Sequence, residues 1–415
     1  LPIEEKNNAP LSDDDRRYAL LFGAPSFALA LCLGTLSTYL PVLARRFTSS
    51  TAIIGLLVGG EGLIAVLLPI WVGRYSDRIE TRLGRRLPFL LATAPIAALA
   101  LAALPFAPSL IVMAIEVFIF YIAYFTYFSP YRALYPDFIS DEASGRAQGI
   151  QGVFTGAGLG VALVGGGFLL DLWRPLPYFL SGAVLLIATA ILAFGLARTK
   201  SARRSLTNIE TTSPFSELTA LLRKQHEIFY FVLGNALLTL GLSGLKSFVV
   251  LWLTEGLGKS MTFTAVAMIV VAVGTVVGAL ASGKLGDRYG AGRTLCIFLF
   301  VFGGGLAVGT FSTSVILLGA AFPIIALCGG AAVALPYALL MQLAPAKKHG
   351  IVAGLFDASS GVGTLLGPAL TGLSIDLLRN FFPSSHGYSA MWPVLSIAVL
   401  ASAAIMQRAR PPSKK

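Results

Sequence analysis

In this chain of 415 residues, hydrophobic side chains make up 56% and charged ones only 12%, with a mean hydropathy of +0.78. A soluble domain carries about a quarter charged residues, so this composition excludes a soluble multidomain protein. The apolar runs lack strand-like alternation, which excludes a β-barrel.

The first seventeen residues are polar and charged, and the apolar run that follows (18–44) is too long for the h-region of a signal peptide. It is expected to be kept as the first membrane helix. A second span carries Glu61 midway and ends in Gly73-Arg74-Tyr75-Ser76-Asp77-Arg78. The run 87–115, continuing past Glu116 to Tyr131, is too long for one crossing and reads as a hairpin broken near Pro105–Pro108. Runs at 147–170 and 175–197 complete six spans. Residues 198–225, rich in Ser, Thr, Lys and Arg, form the one long polar connection, with Pro214 to Leu222 either a surface helix or part of an unstructured linker.

The second half repeats this plan. A polar stripe of Asn235, Thr239 and Lys246 marks the seventh span, with Ser243 beside it. Run 260–283 ends in Gly283-Lys284-Leu285-Gly286-Asp287-Arg288. Residues 294–346 carry no charge and read as a hairpin broken near Ser312–Ser314. Asp357 lies early in the eleventh span, and 380–407 is the twelfth. The predicted fold is therefore all-α and membrane-integral, with about twelve helices in two bundles, 1–197 and 226–415, joined by the linker 198–225.

Three echoes support a duplication. The Gly-to-Asp-Arg signature recurs 210 residues on, Pro130-Tyr131-Arg132-Ala133-Leu134 recurs as Pro336-Tyr337-Ala338-Leu339-Leu340 after 206, and Asp171 recurs as Asp376 after 205. Duplicated membrane modules are typical of transporters. Glycines stud the fifth span (Gly152, Gly156, Gly158, Gly160) and the eleventh (Gly354, Gly361, Gly363, Gly367), where close helix contact is expected.

The net charge of +11 is a topology signal. With an even number of spans, 25 of the 31 Lys and Arg fall on one side and five on the other, with Lys246 inside a span. The rich side is expected to be cytoplasmic, with both termini there, in a bacterial inner membrane. Nucleic acid is not an expected partner; the bilayer, a small solute and protons or sodium are, for a chain expected to act as a monomer. Three cysteines without ligand spacing suggest no metal or disulfide framework, and no cofactor is expected. His226, His349 and His386 build no nucleophile–base pair, and no Walker-type loop occurs, so neither an enzyme nor an ATP-driven pump is indicated.

The second signature, Gly283-x-x-x-Asp287-Arg288-x-Gly290-x-Gly292-Arg293, resembles the loop motif of the major facilitator superfamily. The first copy runs on through Arg82, Gly84, Arg85, Arg86, Pro88 and Phe89, and this longer form is similar to that of the sucrose/proton symporters and the glycoside–pentoside–hexuronide cation symporter group. Arg132-Ala133-Leu134 followed by Asp137 is similar to a stretch of the same symporters.

The resemblance implies a two-bundle fold whose first, fourth, seventh and tenth spans line a central cavity. It also implies a cytoplasmic latch, here Gly73, Asp77, Arg78 and Arg85 with Gly283, Asp287 and Arg288. An Asp just past one helix end can be held by the N-terminal amides of a neighbour. In one respect the family pattern is missing, since 18–44 has no acidic residue where such symporters commonly carry a coupling carboxylate.

Charges within spans are functional candidates by default. Glu61, Glu116 and Asp357 are candidate proton-coupling groups. Arg132 shares a helix face with Tyr121, Phe125 and Phe128; together with Tyr124, Asn235, Thr239 and Lys246 it is a candidate substrate contact, since an Arg fork beside aromatic rings suits a hydroxyl-rich or anionic ligand. The leading expectation is proton-coupled transport of a small polar solute, such as a sugar or glycoside. A proton/drug antiporter, and a non-transporting receptor or pigment-assembly protein on the same fold, stay open as alternatives.

Overall fold

The computed structural model describes residues 13–76, 86–139, 144–197, 225–312, 314–343 and 349–409. Among these there are twelve α-helices: α1 (Asp13–Ala44), α2 (Thr51–Ser76), α3 (Leu87–Ala103), α4 (Leu110–Phe138), α5 (Ser144–Leu172), α6 (Leu176–Ala197), α7 (His226–Leu251), α8 (Met261–Tyr289), α9 (Ala291–Phe311), α10 (Val315–Leu343), α11 (His349–Leu377) and α12 (Met391–Met406). Eleven are long and apolar enough to cross a membrane.

Helices dominate because a bilayer core offers no water to an unpaired backbone group. Both expected hairpins are present. A 3₁₀ turn at Leu104–Phe106 separates α3 from α4, and α9 ends at Phe311 before α10 begins at Val315. The last span departs from expectation. Instead of a helix from residue 380, three 3₁₀ turns precede α12, because Pro383 has no amide proton and His386 and Gly387 both adopt positive φ, at 51° and 91°. The linker helix expected near Pro214 lies outside the described residues.

The chain forms two compact units. One comprises Leu1–Leu36, Leu67–Pro108 and Ile115–Asn208; the other comprises Ser37–Val66, Ser109–Ala114 and Ile209–Lys415. Helices α1 and α2 are thus shared: their 37–66 stretch packs with the C-terminal helices, and their remainder with the N-terminal ones.

The first unit is pinned by buried hydroxyls. Tyr131 of α4 donates to the Phe22 carbonyl and pairs with Ser26 of α1 at 2.6 Å, while Gln151 of α5 donates to the Tyr131 oxygen at 3.1 Å. Thr35 of α1 pairs with Ser181 of α6 at 3.0 Å, and Tyr127 with Thr189 at 3.1 Å. On α5 the expected glycine face is only partly used. A side chain at Gly158 would overlap the Phe27 carbonyl, but Gly149, Gly152, Gly156 and Gly160 face open space.

In the second unit small residues let helices meet backbone to backbone. Gly278 of α8 sits against the Leu327 carbonyl of α10, and Gly330 answers against Thr275. Ser396 of α12 donates to the Gly303 carbonyl of α9 at 2.8 Å, and Ser402 to that of Gly234 on α7 at 2.7 Å. Helix α11 is gripped on two sides. Gly363 and Gly367 lie on α7 at Thr239–Gly244, while Gly361, Leu365, Pro368 and Gly372 meet α2 at Val66, Gly62, Gly59, Gly55 and Thr51. Two backbone-level contacts leave no room for large side chains on those two faces of α11. The other face of α2 carries Ile53, Leu56, Leu63, Leu67 and Trp71, all exposed as suits lipid contact.

Gly278→Ala should lower thermal stability in detergent by several degrees, equivalent to about 1–3 kcal/mol of overpacking, because the new methyl meets a carbonyl that cannot rotate away. Gly304→Ala, with nothing within 4 Å, should be neutral or slightly stabilising. Equal melting temperatures for the two variants would contradict this account of the α8–α10 contact.

Candidate functional site

Two helices seated on α11 bring a carboxylate and an ammonium together. Glu61 is next to Gly62, which packs on Gly361 and Leu365; Lys246 follows Ser243 and Gly244, which pack on Gly363 and Gly367. Ser243 Oγ fixes this level by donating to the Gly363 carbonyl at 3.1 Å. Both charged residues are half-buried, and they lie within electrostatic range of each other. They form no direct contact within 4 Å; among the described residues the direct ion pair is Arg45–Glu255. A charge within a span is costly when alone, and an opposite charge nearby offsets part of that cost.

About three turns from Lys246 along α7, the amide nitrogen of Asn235 donates to Ser359 Oγ at 2.8 Å and Ser360 Oγ at 3.0 Å. Both its donor hydrogens are therefore engaged in holding α7 to α11. Thr239 Oγ1 donates back to the Asn235 carbonyl at 2.8 Å. Of the α7 stripe, only Lys246 carries a charge with an acidic neighbour on a second helix.

The α4 candidates form a ladder of rings in the first unit. Tyr124 stacks on Phe128 with centroids 5.9 Å apart, Phe125 meets Phe128 edge-on at 6.4 Å, and the Arg132 guanidinium lies 5.5 Å from the Phe128 centroid. Tyr121 is fully buried beneath Phe118 and Phe120, whereas Arg132 is exposed. A guanidinium against a ring combines a cation–π contact with a planar hydrogen-bonding head.

The other acidic candidates differ from Glu61. Glu116 has one carboxylate oxygen buried without a hydrogen-bond partner among the described residues, and Asp357 is exposed. Of the expected latch, Asp77, Arg78 and Arg85 lie outside the described residues, and Gly73 falls in the last turn of α2. In the second copy, Asp287 and Arg288 are exposed, with Arg288 over the Tyr289 ring at 5.3 Å. The glycines of that motif make the turn. Gly290 takes φ 88° and donates to the Gly286 carbonyl at 2.9 Å, and Gly283 leaves open space beside it.

Residue-by-residue reading missed a polar cluster at the opposite end of the second unit. Asp376, at the end of α11, accepts from the Thr51 and Ala52 amides, both at 2.9 Å, and from the hydroxyls of Thr51 at 2.6 Å and Ser50 at 2.7 Å. Arg45 grips Glu255 through Nε at 2.9 Å and Nη2 at 2.8 Å, while Tyr388 donates to the same carboxylate at 2.7 Å. Burial opposes the Arg45 charge, but the Glu255 hydrogen bond, with Tyr388, Glu255 and Asp376 nearby, leaves its pKa above that of free arginine. The one available signal was Ser50-Thr51 ahead of an apolar run, an N-cap pattern.

If Glu61 and Lys246 compensate one another, the double variant Glu61→Gln/Lys246→Gln should be destabilised by less than the sum of the two single variants. A coupling of about 0.5–3 kcal/mol is expected from unfolding in detergent. Strict additivity would show that the charges do not sense each other.

A model of the Major Facilitator Superfamily matches residues 24–245 and 231–415. An uncharacterised MFS-type transporter of Bacillus subtilis (strain 168), YceJ, is 24% identical over 380 residues, covering 90% of this chain and 94% of the relative. Among solved structures, a bacterial homologue of the human lysosomal transporter Spinster, in an inward-facing and unoccupied conformation, superposes with a TM-score of 0.75 at 19% identity, over 96% of this chain and 98% of that one. A D-xylose-proton symporter gives 0.75 at 14% identity, over 97% and 99%. At these identities the structural likeness shows the fold alone.

Proposed function

The chain belongs to the Major Facilitator Superfamily of membrane transporters, and on that footing we propose that it is a secondary active transporter that moves a small polar solute by proton-coupled alternating access. The observation that carries the coupling is the Glu61–Lys246 pair, a carboxylate and an ammonium on two helices that share α11 as their seat. With Glu61 ionised, attraction to Lys246 favours α2 and α7 both staying seated. Protonation of Glu61 removes that attraction and leaves the ammonium needing another partner, which a solute oxygen or a second acidic group supplies. Proton occupancy and helix seating are thereby linked.

A sugar or glycoside is the solute class that the ring ladder on α4 favours, since aromatic faces and a guanidinium fork suit a ring bearing hydroxyls. The specific likeness to the sucrose and glycoside symporters rests on Arg132-Ala133-Leu134 and on the extended first loop motif. A proton/drug antiporter is the second reading, favoured by the same ring ladder where a ligand offers an apolar face. The bias of Lys and Arg supports a reading with both termini in the cytoplasm and the Arg45 end of the helices outside, in a bacterial inner membrane. The two sequence halves, 1–197 and 226–415, are the proposed moving bundles.

In proteoliposomes, Glu61→Gln should abolish uphill accumulation driven by an imposed pH gradient while solute exchange without a gradient continues. Full accumulation by Glu61→Gln would remove this residue from coupling. Loss of exchange as well would assign it to solute binding instead.

A further inference from the structure

The neutral donors along the Lys246 face of α7 are already committed. Both amide hydrogens of Asn235 go to Ser359 and Ser360, and the Thr239 hydroxyl donates to the Asn235 carbonyl. Ser243 shares its hydrogen between the Leu240 carbonyl at 3.2 Å and the Gly363 carbonyl at 3.1 Å, and Ser247 donates to the Ser243 carbonyl at 2.8 Å. The Lys246 ammonium differs. Among the described residues it makes no hydrogen bond and no ion pair within 4 Å, and it is half-buried, so a ligand can still reach it. A ligand that needs a donor from this face of α7 therefore meets a cation.

Charge then decides what kind of ligand fits. Glu61 has Lys246 as its charged partner, and Lys246 has Glu61. The other charged groups on these helices and on those packed against them stand elsewhere. Arg74 lies in the last turn of α2, and His226 and Glu227 lie in the first turn of α7. On α11, Asp357 is exposed and Asp376 is held by the start of α2, while α10 and α12 carry no charged residue.

With Glu61 ionised, the two charges cancel. Protonation of Glu61 leaves a single positive charge within the spanning helices, where an uncompensated ion is costly. A neutral solute can turn dipoles towards that charge but cannot remove it. A monoanion removes it, and accepts from the ammonium a charge-assisted hydrogen bond roughly twice as strong as a neutral one.

We propose that the solute is a small organic anion, a carboxylate-bearing molecule such as an acidic sugar, which binds the Lys246 ammonium when Glu61 is protonated and crosses together with that proton. The inference rests on the coupling reading of the Glu61–Lys246 pair and narrows its solute from polar to anionic. One proton on Glu61 and one carboxylate on Lys246 leave the loaded site as neutral as the empty one. Neither form then moves net charge through the membrane field, so the membrane potential neither drives nor opposes the cycle.

Lactate and D-glucuronate are the probes, with lactamide and D-glucose as their neutral counterparts at constant ionic strength. In detergent at neutral pH, at least one of the two carboxylates should raise the melting temperature of Glu61→Gln, and its neutral counterpart should not. The double variant Glu61→Gln/Lys246→Gln should bind that carboxylate at least about tenfold more weakly, as loss of a charge-assisted hydrogen bond predicts. In the unmodified chain the same affinity should be lower than in Glu61→Gln at neutral pH and should rise on acidification. If Glu61→Gln does not fold, the unmodified chain at acid pH against the double variant carries the test. No stabilisation by either carboxylate, equal stabilisation by a neutral counterpart, or binding indifferent to Lys246 overturns the inference. In proteoliposomes, uptake of the bound carboxylate should keep its rate under an imposed inside-negative potential, and a changed rate would overturn the one-for-one balance. Binding as expected with no uptake at all would instead count against the proposed function.

Discussion

Close approach of backbones along α11 is the constraint on which the second unit depends. Lipid offers helices no hydrophobic reason to associate, so association comes from van der Waals contact and from polar groups that find partners only in one another. Helix α11 meets both requirements on two sides. Gly363 and Gly367 admit α7, Gly361 and Gly372 admit α2, and Asn235, Ser243 and Thr51 supply the hydrogen bonds between them. Any larger residue on either line would separate the helices that carry Glu61 and Lys246. The charge pair and the Asp376 cap are both consequences of that seating.

Much of the fold was legible because a bilayer forces the choice. Uncharged runs of spanning length can only be helices, and where a run was too long, Pro105–Pro108 and Ser312–Ser314 marked its break. The start of α12 was not legible. Residues 380–390 carry no Lys, Arg, Asp or Glu, so an uncharged run extends the span through them. Pro383, Ser384, Ser385 and Gly387 are turn residues, however, and the chain there coils into 3₁₀ turns with positive φ at His386 and Gly387. Glycine was an ambiguous sign for a related reason. It permits contact without requiring it, so α11 uses its row in full while α5 leaves most of its own open.

Site residues were legible one at a time. A charge in a span advertises itself, which singled out Glu61, Lys246 and Glu116, and helical periodicity put Arg132 with Phe125 and Phe128. What single positions cannot convey is pairing across the chain. Asp376 and Thr51 are 325 residues apart, and Glu61 and Lys246, seated by way of a third helix, are 185 apart. Arg45 looked like one of five sparse basic residues on its side, and its bond to Glu255 depends on a π-helical turn with no sequence mark.

The central claim is that ionisation of Glu61 governs whether α2 stays seated on α11. Spin labels at Ile53 and Leu373, both exposed and on these two helices, report that seating directly by pulsed electron–electron distance measurement in proteoliposomes. Acidification should add a longer-distance population in the otherwise unmodified chain, and Glu61→Gln should show that population at neutral pH without further response to acid. A single distance distribution, unchanged by pH and by Glu61→Gln alike, would contradict the account.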